Sequence, residues 1–223
     1  MVVVFDLFGT LLDIASLRTV AASVCDDPVA FVATWREKQI AYAFASAIMD
    51  RYEDFDALTA HALRFAAAKH NVTLDDAHRH AFDTAWERMQ PYPDAVATLQ
   101  QLRAAGTRCA VLTNGTPRTS RIAMENAAIA PYIEATLHVD DAGVYKPDKR
   151  VYTLVTERYA CAPGDVVFVT SNGWDATGAE VFGYKVAWCN RLGNPPETYG
   201  PPPTWTIPSL DALPALLATT SSP

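Results

Sequence analysis

A single carboxylate, Asp6, closes the first apolar run of the chain, Val2-Val3-Val4-Phe5, and Gly9 and Thr10 follow it. A carboxylate placed where a substrate sits is able to attack as a covalent nucleophile. Position 8 is Phe, so no second acid stands two residues on. Other apolar runs also end in polar side chains: Leu112 leads to Thr113-Asn114-Gly115, and Val169 to Thr170-Ser171-Asn172, with Gly173-Trp174-Asp175 behind. Lys146 lies between these two, in Val144-Tyr145-Lys146-Pro147-Asp148. A lysine cation near Asp6 would lower its pKa and orient it. Thr113 and Asn114 offer donors to a substrate anion or a leaving group. Asp175 would balance the lysine charge or, alternatively, bind a metal. Each motif alone has a plain structural reading as a strand-ending turn or a helix entry; the order in which they recur is the informative feature.

Such residues need a scaffold that gathers strand ends at one edge. Four runs read as buried parallel strands: Val2–Asp6, Cys109–Thr113, Val166–Thr170 and Tyr184–Cys189. Helical spacing separates them over 93–105, 117–127 and 148–159, with Gly106 as a stop, Pro117 as an entry and Asp148 as a cap. Alternation of this kind predicts an α/β fold, a doubly wound parallel sheet, and ligands in such sheets bind beyond the carboxyl ends of the strands. Residues 14–90 read as helices throughout, with Asp27-Pro28 opening one and further helical stretches at 54–70 and 74–89. We therefore expect a core of residues 1–13 and 91–223 and a helical cap of residues 14–90, inserted after the first strand as a lid. Near the end, proline-dense residues 192–208 exclude regular helix. Thr204–Ile207 suits an edge strand, Ser209–Leu217 a last helix, and Thr219–Pro223 a frayed tail.

The bulk properties narrow the function. The 223 residues are 50% hydrophobic, enough for one sizeable core, and carry a formal net charge of −7. No clustered Lys and Arg suggest a nucleic-acid surface, and the apolar start is too short for a signal core or a membrane span. Cys25, Cys109, Cys161 and Cys189 form no Cys-x-x-Cys pair, and Cys109 and Cys189 sit in strand-like runs. We expect reduced, buried thiols in a cytoplasmic protein. The five histidines show no recognised metal spacing.

The string Phe5-Asp6-Leu7-Phe8-Gly9-Thr10-Leu11-Leu12-Asp13 resembles the nucleophile motif of the haloacid dehalogenase-like superfamily, which holds phosphatases, mutases, ATPases and dehalogenases. Thr113-Asn114, Lys146-Pro147 and the stretch at 170–175 match its remaining motifs in order. Three stretches are similar more narrowly to (S)-2-haloacid dehalogenases: Trp35-Arg36-Glu37-Lys38-Gln39-Ile40-Ala41-Tyr42, Lys146 through Tyr152, and Ser171 through Ala179. The resemblance covers essentially the whole chain and implies a Rossmann-like core under an α-helical cap.

The acid missing at position 8 separates the chemistries of that superfamily. Its phosphatases use a second Asp there to protonate a departing alkoxide, which Phe8 cannot do. Halide leaves as a stable anion without a proton. The resemblance then implies these roles. Asp6 attacks the α-carbon of a short 2-haloacid with inversion, forming an ester. Arg36 and Asn114 stabilise the departing halide. Thr113, Lys146 and backbone amides after Asp6, at Leu7 and Phe8, hold the substrate carboxylate. Asn172 and Asp175 position the water that opens the ester, with Thr10, Thr170, Lys146 and Tyr152 in the same polar cluster. Phe8, Ile40 and Trp174 line the alkyl pocket. The resemblance also implies no metal or other cofactor, no nucleic-acid or membrane partner, and a homodimer.

The chain departs from that family's usual pattern at Thr113 and Thr170, where Ser is common, and at Phe8, more often Tyr. It departs again at Glu37, where Gln is frequent, and a Glu37 facing the site would partly neutralise Arg36. Competing readings are a Mg²⁺-dependent phosphatase using Asp6 and Asp175 as ligands, a relative that opens azetidine-2-carboxylate, and a binding protein that has lost catalysis. Phe44 and Phe55 are left open between core and interface.

Overall fold

The structure is a computed structural model that describes residues 2–220. The chain runs β1 (Val2–Phe5), α1 (Arg18–Ala21), α2 (Pro28–Ile48), α3 (Phe55–Lys69), α4 (Asp76–Glu87), α5 (Ala95–Ala104), β2 (Arg108–Thr113) and α6 (Pro117–Asn126). It continues through β3 (Ala135–His138), α7 (Lys149–Tyr159), β4 (Val166–Thr170), α8 (Gly173–Phe182), β5 (Lys185–Cys189), β6 (Trp205–Ile207) and α9 (Leu213–Thr220). The strands form one sheet in the order β3-β2-β1-β4-β5-β6, and every neighbouring pair is parallel.

This order puts β1 in the middle, at the point where the winding direction reverses. Phe5 lies opposite Val111 of β2 on one side and Val169 of β4 on the other. The next residues of these three strands therefore emerge side by side at one edge, where a crevice forms beyond the strand ends. All four residues of β1 are buried, because both faces of the sheet are covered. Val3 and Phe5 join one apolar cluster and Val2 and Val4 the other, as a period of two requires.

The helices start where the sequence carries caps. Asp27 Oδ1 accepts the Ala30 amide at 2.9 Å with Pro28 in the first turn, and Asp148 Oδ1 accepts the Arg150 amide at 2.9 Å. Between β1 and α5 there are helices and no strand among the described residues. This insert is tied to the core by aromatic packing: Trp86 of α4 stands edge-on to Phe8, with centroids 5.2 Å apart, and to Trp35 of α2 at 5.6 Å. No helix among the described residues is long and apolar enough to cross a membrane.

Three expectations need correction. β3 was not expected from its residues: it is an edge strand in which only Leu137 is buried, so Ala135-Thr136-Leu137-His138 shows no apolar run. The last helix starts later and runs further than expected, at Leu213–Thr220 after a short 3₁₀ turn over Leu210–Ala212, so Thr219 is helical. The expected frayed tail beyond residue 220 lies outside the described residues. Of the four free cysteines, Cys109 and Cys189 are buried as expected, whereas Cys25 and Cys161 are half-buried. Burial pushes the Cys109 thiol up to about 12 and that of Cys189 to about 11.

Candidate active site

Asp6 follows the last residue of β1, and its amide donates to Val169 O of β4 at 2.9 Å, which fixes its backbone in the sheet. Its carboxylate is held from two directions. Lys146 Nζ donates to Oδ1 at 3.0 Å, while Thr10 Oγ1 and Asn172 Nδ2 donate to Oδ2 at 3.0 and 2.9 Å. Thr10 is oriented in turn, because its oxygen accepts the Ser171 amide at 2.9 Å. The tight turn after Asp6 needs Gly9, whose φ of +94° few side chains tolerate.

Lys146 is fully buried and reaches a second carboxylate: Nζ lies 3.0 Å from Asp175 Oδ2. Burial works against the ammonium charge, but Asp175 and then Asp6 outweigh it and hold the lysine pKa above its ordinary value. Asp175 sits in the first turn of α8, where a helix N-terminus favours an anion. Burial nevertheless raises its pKa, with Lys146 opposing and Asp6 adding to the rise. Its Oδ1 accepts the Tyr152 hydroxyl at 2.7 Å, and that phenol is pushed well above the ordinary tyrosine range by burial and by Asp175.

Thr113 and Thr170 end β2 and β4 and turn inward. Each hydroxyl oxygen accepts an amide two residues on, Gly115 N at 3.0 Å and Asn172 N at 3.1 Å. These bonds shape the turns that place Asn114 and Asn172. Asn114 Oδ1 accepts the Lys146 amide at 3.3 Å, which ties the lysine loop to the end of β2.

A narrow cavity opens onto Asp6, lined by Phe8, Arg36, Phe55, Thr113, Asn114, Asn172 and Trp174. Arg36 comes from α2, and its Nη2 donates to Phe8 O at 3.4 Å, across the boundary between insert and sheet. Burial lowers the Arg36 pKa to about 10 while Asp6 and Asp175 pull it back, so it stays a cation at neutral pH. Lys146 pairs with both Asp6 and Asp175, whereas Arg36 feels the two carboxylates only at longer range.

The expected site residues divide into groups. Asp6, Phe8, Arg36, Thr113, Asn114, Asn172 and Trp174 meet at this cavity. Thr10, Lys146, Tyr152, Thr170 and Asp175 form the buried polar layer behind it. Ile40 lies further out, with Glu37 and Phe44, in an outer cleft that shares Arg36, Asn172 and Trp174 with the cavity. Leu7 points into the apolar core. Glu37 is exposed, so it stands at the mouth and not beside the Asp6 carboxylate.

Phe55, left open above between core and interface, is a wall of the Asp6 cavity, a role its sequence context did not suggest. It opens α3, far from any motif, and its only signal is an aromatic just after the capping residue Asp54. A larger apolar groove lies on the far side of Trp174, whose ring meets Phe44 edge-on at 5.3 Å. Asp6 is not among the residues of that groove.

The superfamily resemblance raises a divalent metal, and the donors here do not fit one. A divalent cation between Asp6 and Asp175 would meet the Lys146 ammonium that already bridges them. All four oxygens of Asp6 and Asp175 already accept protein donors, and Lys146 Nζ stands between the two groups. Among the described residues, no group of three or more His, Cys, Asp or Glu is arranged to hold a metal.

Comparison with known proteins agrees with the geometry. Residues 1–183 match the family model described as haloacid dehalogenase-like hydrolase. The chain is 35% identical to the (S)-2-haloacid dehalogenase of Pseudomonas sp. (strain YL), over 97% of this chain and 94% of that one. It superposes on L-2-haloacid dehalogenase from Xanthobacter autotrophicus with a TM-score of 0.93 at 32% identity, covering 99% and 100% of the two chains. The same enzyme solved with chloropropionic acid covalently bound gives 0.93 at 31% identity, with the same coverage. A carboxylate-bearing strand end, a lysine bridging two buried aspartates and an arginine brought in by a helical insert are thus set on a fold shared over nearly its whole length, and the chain belongs to the haloacid dehalogenase-like hydrolases, in the (S)-2-haloacid dehalogenase family.

Proposed function

We propose that the protein hydrolyses short 2-haloalkanoic acids, (S)-2-haloacids where the α-carbon is chiral, to 2-hydroxy acids with inversion. The reaction runs through an ester on Asp6, with the helical insert over residues 14–90 serving as the cap. One observation carries this reading: the Asp6 carboxylate, fixed by three donors, faces a narrow cavity in which Phe8 stands where a proton-donating acid would be needed for a poor leaving group. The covalently occupied Xanthobacter relative supports it.

The electrostatics follow the displacement. Attack by an Asp6 oxygen on the α-carbon breaks the carbon–halogen bond and moves one negative charge from Asp6 to the halide. Arg36, across the same cavity, receives that charge, with Asn114 beside it. The total charge of the site does not change, so little reorganisation is required in a buried setting. Phe8, Phe55 and Trp174 exclude water from the nucleophile until the ester has formed.

Hydrolysis then uses the layer behind. Water attacks the Asp6 carboxyl carbon, and the oxygen not esterified gathers negative charge. The donors already aimed at that carboxylate, Lys146 on one oxygen and Thr10 with Asn172 on the other, stabilise the tetrahedral oxyanion. Asp175, held by Lys146 and Tyr152, is the nearby base for the proton the water loses.

The test is halide release from chloroacetate and from both enantiomers of 2-chloropropionate, with and without chelator, beside p-nitrophenyl phosphate with and without Mg²⁺. Chelator-resistant halide release from the (S)-acid is expected. Magnesium-dependent phosphate release without dehalogenation would overturn the reading. In a single turnover in ¹⁸O-water the label should enter Asp6 and not the hydroxy acid.

A further inference from the structure

Behind Arg36 runs a polar chain inside the insert that takes no direct part in the chemistry. Gln39 is one turn along α2 from Arg36 and is fully buried, an unfavourable place for an amide unless every polar atom is engaged. Arg36 Nη1 donates to Gln39 Oε1 at 2.5 Å. Gln39 Nε2 donates to Thr59 Oγ1 on α3. The Thr59 hydroxyl donates to Phe55 O at 2.6 Å, and Thr59 O accepts Trp35 Nε1 at 2.9 Å.

The direction of these bonds is determined. Thr59 has given its only proton to Phe55 O, so it can only accept from Gln39. The amide NH₂ must therefore face Thr59, and its oxygen must face the guanidinium. A flipped amide would set donor against donor at Arg36.

The partner's chemistry is equally specific. No carboxylate lies within ion-pair distance of Arg36 among the described residues. A neutral acceptor orients a guanidinium without cancelling its charge, whereas a glutamate in that place would cancel it. Phe55, the last group in the chain, is itself a wall of the Asp6 cavity.

We propose that Gln39 is a positioning residue. It aims the uncompensated charge of Arg36 into the cavity where the halide departs, and Thr59 on the neighbouring helix dictates which way its amide faces. This rests on the dehalogenase reading of Arg36.

The test compares Gln39→Glu, Gln39→Met, Thr59→Val and Thr59→Ser. The readouts are kcat and KM on chloro-, bromo- and iodoacetate, and bromide binding to the resting enzyme by tryptophan fluorescence. Gln39→Glu should weaken bromide binding by about tenfold or more, the scale of one charge-assisted contact. It should lower kcat most on chloroacetate, whose leaving group needs the most help, and least on iodoacetate, with KM changed less than kcat. Gln39→Met should lower kcat in the same order. Thr59→Val should reproduce part of the loss, and Thr59→Ser, which keeps the hydroxyl, should restore it. Equal losses across the three halides with unchanged bromide binding would mean Gln39 is only structural, and would overturn the proposal. If the wild-type protein releases no halide from any haloacid, the proposed function fails on its own, and bromide binding still decides the role of Gln39: unchanged binding in Gln39→Glu overturns it, and weakened binding supports it.

Discussion

Lys146 Nζ lies 3.0 Å from Asp6 Oδ1 and 3.0 Å from Asp175 Oδ2, so one buried cation bridges the proposed nucleophile and the proposed base. Lys146→Met leaves two buried acids facing each other, a loss of about 3–5 kcal/mol when one partner of such a pair is removed. The sign with pH follows from the acids. Without the ammonium the folded-state pKa of Asp175, already raised by burial, rises further. A raised carboxyl pKa favours the fold below the unfolded-state value and loses that advantage as pH rises through the folded-state value. The variant should therefore be nearer to wild type at pH 5 than at pH 8 in urea unfolding, and inactive at both. A deficit that does not change with pH would refute the electrostatic account.

The backing of Asp175 depends on a glycine in α8. A Cβ on Gly178 would stand 2.5 Å from Pro147 Cβ and 2.8 Å from the Tyr152 hydroxyl. Gly178→Ala therefore displaces the phenol that donates to Asp175 and the proline that follows Lys146. In the proposed mechanism, alkylation of Asp6 does not call on Tyr152, whereas hydrolysis of the ester calls on Asp175. We expect the second half-reaction to slow by about tenfold or more, as for removal of one supporting group at a general base. The Asp6 ester should then accumulate, visible as an added mass on the intact protein. A variant that slows without accumulating ester would show that the two half-reactions share this support.

Much of this was legible in the sequence, for a physical reason. Asp6, Thr113 and Thr170 are strand-end residues, and a parallel sheet must bring the ends of adjacent strands together. Lys146 and Asp175 are read from motifs beside the strand ends and Arg36 from the resemblance, and their distances needed the fold. What stayed hidden depends on contacts between elements remote in sequence. Phe55 reaches the cavity only because α3 packs on α2. Gln39 reads as one more polar residue on a charged helix until Thr59 meets it. β3 was missed because an edge strand needs few apolar residues.

Position 8 offers a steric test. A Cβ on Gly115 would collide with the Phe8 ring at Cε2 and come within 2.8 Å of Ser120 Oγ. The ring cannot retreat, because Trp86 stands against it. Gly115→Ala should cost about 1–3 kcal/mol by overpacking and push Phe8 into the reaction cavity. Chloroacetate turnover should then survive better than turnover of (S)-2-chloropropionate, which carries an extra methyl. Adding Phe8→Leu should restore part of the lost ratio, and an unchanged ratio in Gly115→Ala would mean that Phe8 does not bound the alkyl pocket.

The insert is also fastened to the core by a carboxylate away from the chemistry. Asp56 of α3 accepts Thr116 Oγ1 and Thr119 Oγ1 of α6, each at 2.9 Å on Oδ2. Burial raises its pKa, the two hydroxyls oppose the rise, and Asp54 adds to it. The raised value means that Asp56 contributes most to stability below its unfolded-state pKa and that this contribution is lost as pH rises through the folded-state value. Asn at this position accepts the same two hydroxyls and carries no charge to bury. Asp56→Asn should therefore match the wild type near pH 4 and equal or exceed it at pH 7, by up to about 1 kcal/mol. Paired urea titrations at the two pH values decide the matter. A variant weaker than wild type at pH 7 would mean that the ionised carboxylate, through its hydroxyl bonds, fastens the insert more than its burial loosens it.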